Sequence, residues 1–199
     1  GTGEADVART MPSSTRGQRL LAAYLLALVG IGVAIQLSGW TRTWQALSVP
    51  SLSPVFADMR SVQAGLSARR QGLDPQVENP GDPWQRPMNY PRLWLAIGSA
   101  AGFESERGFL VYCGVQLTLF VLAASLLLLR FPSLLLLAAL LSTSTLLAIE
   151  RGNNYLLIYA ILTLASLQRS SVLGAAAVLA ASVLKIYPLF ALPAAAERF

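Results

Sequence analysis

The stretch SLLLLAALLSTSTLLAI, then ERGNN, then YLLIYAILTLASL (residues 133–167) decides the fold. Five polar residues, Glu150-Arg151-Gly152-Asn153-Asn154, are wedged between two runs of membrane-grade hydrophobicity. Polar atoms beside hydrocarbon are expensive unless they are paired, wet or functional, so the cluster marks both a turn between two spans and a candidate site. A bilayer core of about 30 Å takes roughly 20 helical residues at about 1.5 Å each. Leu20–Leu37 and Phe109–Leu129 meet that length, Ser133–Ile149 approaches it, and Tyr155–Leu167 falls short. Ser171–Ala196 exceeds it but carries Lys185, Pro188 and Pro193. The expected fold is therefore all-α and polytopic, with about five transmembrane helices, two of them irregular.

Composition agrees with that reading. The chain is 54% hydrophobic and 13% charged, with mean hydropathy +0.54, whereas an ordinary soluble domain has about 45–50% apolar and about 25% charged residues. The excess sits in long segments, which excludes a soluble globular domain. Fifteen Lys plus Arg against ten acids give a net charge of +5, and Lys185 is the only lysine. An arginine bias of this kind says little about partners. No basic run with interleaved aromatics lies outside the apolar segments, so nucleic acid is not expected. With no histidine and the single Cys113, zinc and haem sites of the usual ligand types are excluded, and no other cofactor or metal is implied.

Arg9, Arg16 and Arg19 precede the first apolar run, as in a signal peptide, but no small-x-small cleavage site follows it. Trp40 and Trp44 follow instead, as interfacial anchors. The run reads as an uncleaved first span behind a polar cytoplasmic segment, residues 1–19. Residues 20–196 form one membrane domain with a long outer loop over 38–108, and 197–199 are the chain end. Arg16, Arg19, Arg130 and Arg169 all fall on one side when the spans alternate, and the positive-inside rule makes that side cytoplasmic. Asp58, the Glu150–Asn154 cluster and the Lys185 end of the last span then share the outer face, which is expected to be that of a bacterial cytoplasmic membrane.

Within the outer loop, Val55, Met59, Val62 and Leu66 recur at helical spacing, with Gly72 as the stop and Asp74-Pro75 as a turn. Such a helix is too polar to span and is expected to lie in the interface, apolar side down, with Asp58 at the border of that side. Gln76–Asn89 reads as irregular loop, and Pro91–Gly102 as a second short apolar helix flanked by Tyr90 and Trp94. Gly30-Ile31-Gly32 reads as a small-residue patch expected to pack against another helix.

Three places carry candidate chemistry. Asp58, a carboxylate at the bilayer surface, suits a general base; alternatively it pairs with Arg60 or caps its helix. Arg151 suits a phosphate, and the amides of Asn153 and Asn154 offer donors and acceptors to sugar hydroxyls; the alternative is a solvated turn with Gly152 at positive φ. Lys185, inside an apolar run, costs about 2.5–3.5 kcal/mol on insertion scales unless it meets an anion or snorkels. Tyr187 lies beside it, and Pro188 frees backbone carbonyls that need a wet or protein-lined cavity.

The order Phe56-Ala57-Asp58-x-Arg60, Gly72-x-Asp74-Pro75, Asn89-Tyr90-Pro91, Arg151-Gly152-Asn153-Asn154 and Lys185-x-Tyr187-Pro188 resembles the glycosyltransferase 87 family, C-type membrane glycosyltransferases that use polyprenyl-phosphate sugars. Family members have roughly twice as many helices, so the resemblance implies an N-terminal portion, truncated relative to the full family. It implies transfer of a hexose, mannose foremost, from a polyprenyl-phosphate donor to a lipid or glycan acceptor. Asp58 would be the base, Lys185 with Arg60 or Arg151 the phosphate ligands, and Asn153, Asn154 and Tyr187 the further binders. Asn153 departs from the glutamine expected there. The rival is a non-catalytic transporter or assembly subunit, for which inverted repeats are the expected sign; none is visible.

Overall fold

The computed structural model describes residues 13–167 and 171–185, and every regular element among them is helical. In chain order these are α1 (Ser13–Ser38), α2 (Trp40–Ala46), α3 (Ala57–Arg70), α4 (Leu93–Ala100), α5 (Glu106–Arg130), α6 (Leu134–Leu140), α7 (Thr143–Arg151), α8 (Tyr155–Leu167) and α9 (Ser171–Leu184). Three apolar stretches are long enough to cross a membrane: Thr15–Ser38, Glu106–Arg130 and Leu134–Arg151, the last combining α6 and α7. The helices α8 and α9 are equally apolar but short, about 20 Å each at the α-helical rise. Of the expected last span, the part beyond Lys185 lies outside the described residues.

The long helices bury little of themselves. In α1, Leu26 and Leu37 are 70% and 82% exposed, and on α5 Val111 and Leu122 are likewise bare. Continuous exposed apolar surface of this extent is what a hydrocarbon solvent covers. Local signals set the helix ends. Ser105 caps α5 by accepting the Gly108 N–H at 3.0 Å, with Glu106 in the first turn and Arg130 in the last, both signs suited to the helix dipole. The stretch expected to run unbroken from Ser133 to Ile149 is interrupted instead. Ser142 caps α7 through the Thr145 N–H, and the Thr145 hydroxyl donates to the Ala139 carbonyl at 2.8 Å. Side-chain hydroxyls thus take over backbone partners where one helix gives way to the next.

The helices α1 and α5 run antiparallel. At Gly17 a Cβ would stand 3.3 Å from Leu128 and Leu129 backbone atoms, so a glycine permits the approach. Phe120 of α5 meets Tyr159 of α8 at 5.1 Å between ring centroids. One core lies among these helices around Tyr24, Trp44, Phe120, Leu128 and Leu146. A second, around Met59, Met88, Trp94, Phe103 and Phe109, seats the loop between α2 and α5 on the end of the bundle.

That loop differs from its expected form. The spacing of Met59, Val62 and Leu66 predicts a helix with one side down, and α3 buries those residues. Its other side is covered as well: Ser61, Ala64 and Gly65 are buried, and a Cβ at Gly65 would lie 3.1–3.2 Å from Met88, Leu95 and Pro75. Segment 71–92 is irregular but wraps α3 firmly, with the Asn79 amide donating to the Ser61 carbonyl at 2.9 Å. Trp44 and Trp94 stand inside the protein, 1% and 0% exposed, rather than at its rim.

Candidate functional site

Among the described residues, the candidates gather at one end of the bundle, where α1 ends, α5 and α8 begin, and α7 and α9 end. Phe56 starts α3 in the left-handed conformation, φ 61°, and its ring packs against Trp40 and Phe109. That entry puts Asp58 in the first turn of α3, where the exposed N–H groups favour an anion. Asp58 Oδ2 accepts the Asn153 side-chain amide at 2.6 Å, a short charge-assisted bond. Its Oδ1 stands 3.8 Å from Arg86 Nη1, and the carboxylate is about one-quarter exposed.

Arg86 is itself built in. Its guanidinium donates to both oxygens of Asp82, at 3.2 and 3.0 Å, and to the Ala57 carbonyl at 2.7 Å, while lying over the Trp84 ring. Asp82 is fully buried and also accepts the N–H groups of Trp84 and Arg86. A buried carboxylate with this many donors is a fixed anchor, and Arg86 has little freedom to leave it.

The turn between α7 and α8 supplies Asn153. Gly152 takes φ 61°, with its N–H on the Ile149 carbonyl and the Asn153 N–H on the Ala148 carbonyl, the double closure of a Schellman motif. The Asn153 side chain then works in two directions. Its oxygen accepts the Tyr155 N–H at 3.0 Å, capping α8, and its nitrogen reaches Asp58. Glu150, fully buried, ties the turn to the preceding loop. Its Oε1 accepts from the Ser51 hydroxyl and Leu52 N–H, both at 2.9 Å, and from the Trp40 indole at 3.3 Å.

Lys185 follows the last residue of α9. Its ammonium lies 3.7 Å from the centroid of Tyr155 and 5.3 Å from that of Tyr90, contacts of about 0.5–2 kcal/mol each. The Trp94 indole donates to the Leu184 carbonyl at 3.1 Å, fastening the end of α9 to the loop. Burial, and next the Asp58 carboxylate, push the Tyr90 phenol above the ordinary tyrosine range, so it stays protonated. Asp58, Ser61, Arg86, Pro87, Asn89, Tyr90, Asn153 and Lys185 line one cavity of about 110 Å³. An anionic base candidate, two cations and several neutral polar groups thus face one small space.

Of the residues singled out from sequence, Asp58, Asn153 and Lys185 come together there. Arg60 does not. It points to the other side of α3, bonded to both oxygens of Glu106 at 2.6 and 2.7 Å and stacked on Phe109. Arg151 pairs with Glu150 at 3.0 Å and donates to the Pro50 carbonyl, also outside the cavity. Asn154 is fully buried against the Tyr112 hydroxyl at 3.4 Å and faces the protein interior. Tyr187 and Pro188 lie outside the described residues. Arg86, Ser61 and the buried Glu150 were missed as individual contributors. The sequence signal was Arg86-Pro87 just before Asn89-Tyr90-Pro91 in a segment otherwise read only as loop. No family model, no curated protein and no solved structure matches this chain.

Proposed function

We propose that this chain belongs to a membrane glycosyltransferase of the glycosyltransferase 87 type. It moves a hexose, mannose foremost, from a polyprenyl-phosphate donor to a lipid or glycan acceptor. The site faces outward from a bacterial cytoplasmic membrane, with α8 and α9 as short fourth and fifth spans. The observation that carries the reading is that Asp58 and Lys185 line one cavity at the bundle end. A transferase of this kind needs a base for the acceptor, a cation for the leaving phosphate and neutral polar groups for the sugar, all within a few ångströms.

In the proposed reaction the acceptor hydroxyl oxygen forms a bond to the anomeric carbon as the bond to the donor phosphate breaks. Asp58 takes the hydroxyl proton, and the electron pair leaves on the polyprenyl phosphate. Lys185 and Arg86 offset the negative charge that grows on that phosphate. Asn153 keeps one oxygen of Asp58 occupied, leaving the other, Oδ1, to receive the proton. Tyr90, protonated, remains available as a hydrogen-bond donor.

The reading and its orientation are tested together in native membrane vesicles given radiolabelled polyprenyl-phosphate mannose. Right-side-out vesicles expressing the full-length protein are expected to move label into other glycolipids or glycan when the donor is supplied outside. Sealed inverted vesicles are expected to lag far behind. Equal label with and without the protein, in both kinds of vesicle, would remove the proposal.

A further inference from the structure

We propose that Gln116, at mid-length in the apolar helix α5, is a positioning residue that aims Asn153 at the candidate base; this rests on the transfer reading above. Gln116 is 1% exposed. An amide at that depth is costly unless bonded, and its Nε2 donates to the carbonyls of Gly152 and Asn153, both at 3.0 Å. Those two carbonyls leave the Schellman turn and point into the bundle. The Asn153 carbonyl also accepts the Leu156 N–H, so it is held by backbone and side chain together.

The consequence runs through a single residue. Gln116 holds Asn153 by its backbone, and the Asn153 side chain holds Asp58 at 2.6 Å. The two peptide planes that flank Asn153 are both held from below, which restricts the direction in which its amide leaves the turn. Without the clamp, the Gly152–Asn153 peptide can tilt, and the amide, still tied to the Tyr155 N–H, swings off Asp58. Gln116 does not line the cavity itself. Its effect is therefore on how the base is presented and not on donor affinity.

The test is Gln116→Met, of like length but without a donor, with Gln116→His as a variant that restores one. With polyprenyl-phosphate mannose and the full-length protein, Gln116→Met is expected to lower kcat about tenfold to a hundredfold, as small misplacements near a reacting group do. KM for the donor should stay within about twofold. In protein carrying nitrogen-labelled asparagine, the Asn153 side-chain amide, assigned through Asn153→Ser, should lose its downfield shift in Gln116→Met and regain part of it in Gln116→His. If Gln116→Met does not fold, Gln116→Leu, also without a donor, carries the same comparison. An unmoved Asn153 signal, or unchanged kcat per folded molecule, overturns the clamp. Wild-type protein that transfers no sugar defeats the functional reading instead, and the amide signal still decides the clamp.

Discussion

Asp58→Asn is expected to abolish most sugar transfer by the full-length protein while leaving its fold and donor binding in place. The amide matches the carboxylate in shape, and its own oxygen can still accept the Asn153 NH2 while Asn153 keeps its bond to the Tyr155 N–H. What it cannot do is take a proton. Removing a general base typically costs about 10²–10⁴-fold in rate, so the loss should appear in kcat with the donor KM little changed. The comparison needs purified protein in one detergent, with folded fraction matched by size-exclusion profile. Near-normal turnover by Asp58→Asn would end the assignment of Asp58 as base and leave it the structural role of joining α3 to the turn before α8.

The second large effect is on stability. Gly152→Ala places a methyl group where φ is +61° and where the new Cβ would lie 2.9 Å from Phe56 Cβ. The left-handed backbone costs a residue with a side chain roughly 1–2 kcal/mol, and crowding a packed site adds about 1–3 kcal/mol. Phe56 cannot yield easily, because it is held between Trp40 and Phe109 and sets the entry to α3. The expected result is a thermal midpoint lowered by several degrees, with transfer lost alongside, since Phe56 and Gly152 flank Asp58 and Asn153 in the chain. Gly72→Ala separates the two causes. Gly72 also has positive φ, +77°, but nothing lies within 4 Å of its Cβ position. Equal destabilisation at both sites would show that the contact with Phe56 contributes nothing.

The two glycines illustrate what sequence could and could not convey. A Gly-Asn-Asn after a polar pair between apolar runs announces a tight turn, because φ and solvation are local properties. Its packing against Phe56, almost a hundred residues earlier, is not local, and no spacing rule contains it. The apolar helices were legible for the same reason that hydropathy works at all: length and composition are properties of a segment. The interruption at Ser142 was less so. The Ser-Thr-Ser-Thr run offered competing hydroxyls, but only the Thr145 bond to Ala139 makes the break visible.

The candidate site divides along the same line. That Asp58, Asn153 and Lys185 meet was accessible from counting helix directions, since each precedes or follows an apolar run at the same end. Arg60 was the natural cation to pair with Asp58, being two residues away. On a helix that is roughly 200° around the axis, and Glu106 claims it on the far side. The cation beside Asp58 is Arg86, brought there by an irregular loop whose path depends on buried Asp82 and Asn79. Arg151 looked free for a phosphate, but Glu150 and the Pro50 carbonyl hold it. In each case the sequence supplied the right residue types and tertiary partners chose among them.

The central claim is that this cavity receives the phosphate of a polyprenyl donor, whatever the sugar. It is tested most directly by titrating polyprenyl phosphate, the leaving group common to all such donors, into the full-length protein in lipid nanodiscs. Saturable binding is expected, displaced by added polyprenyl phosphate and not by the uncharged polyprenol. Lys185→Met, a neutral side chain of similar length, should weaken it about tenfold or more, since hydrogen bonds to charged groups contribute about 1.5–3 kcal/mol. Absence of saturable binding, displacement by polyprenol as readily as by the phosphate, or unchanged affinity in Lys185→Met would contradict the account.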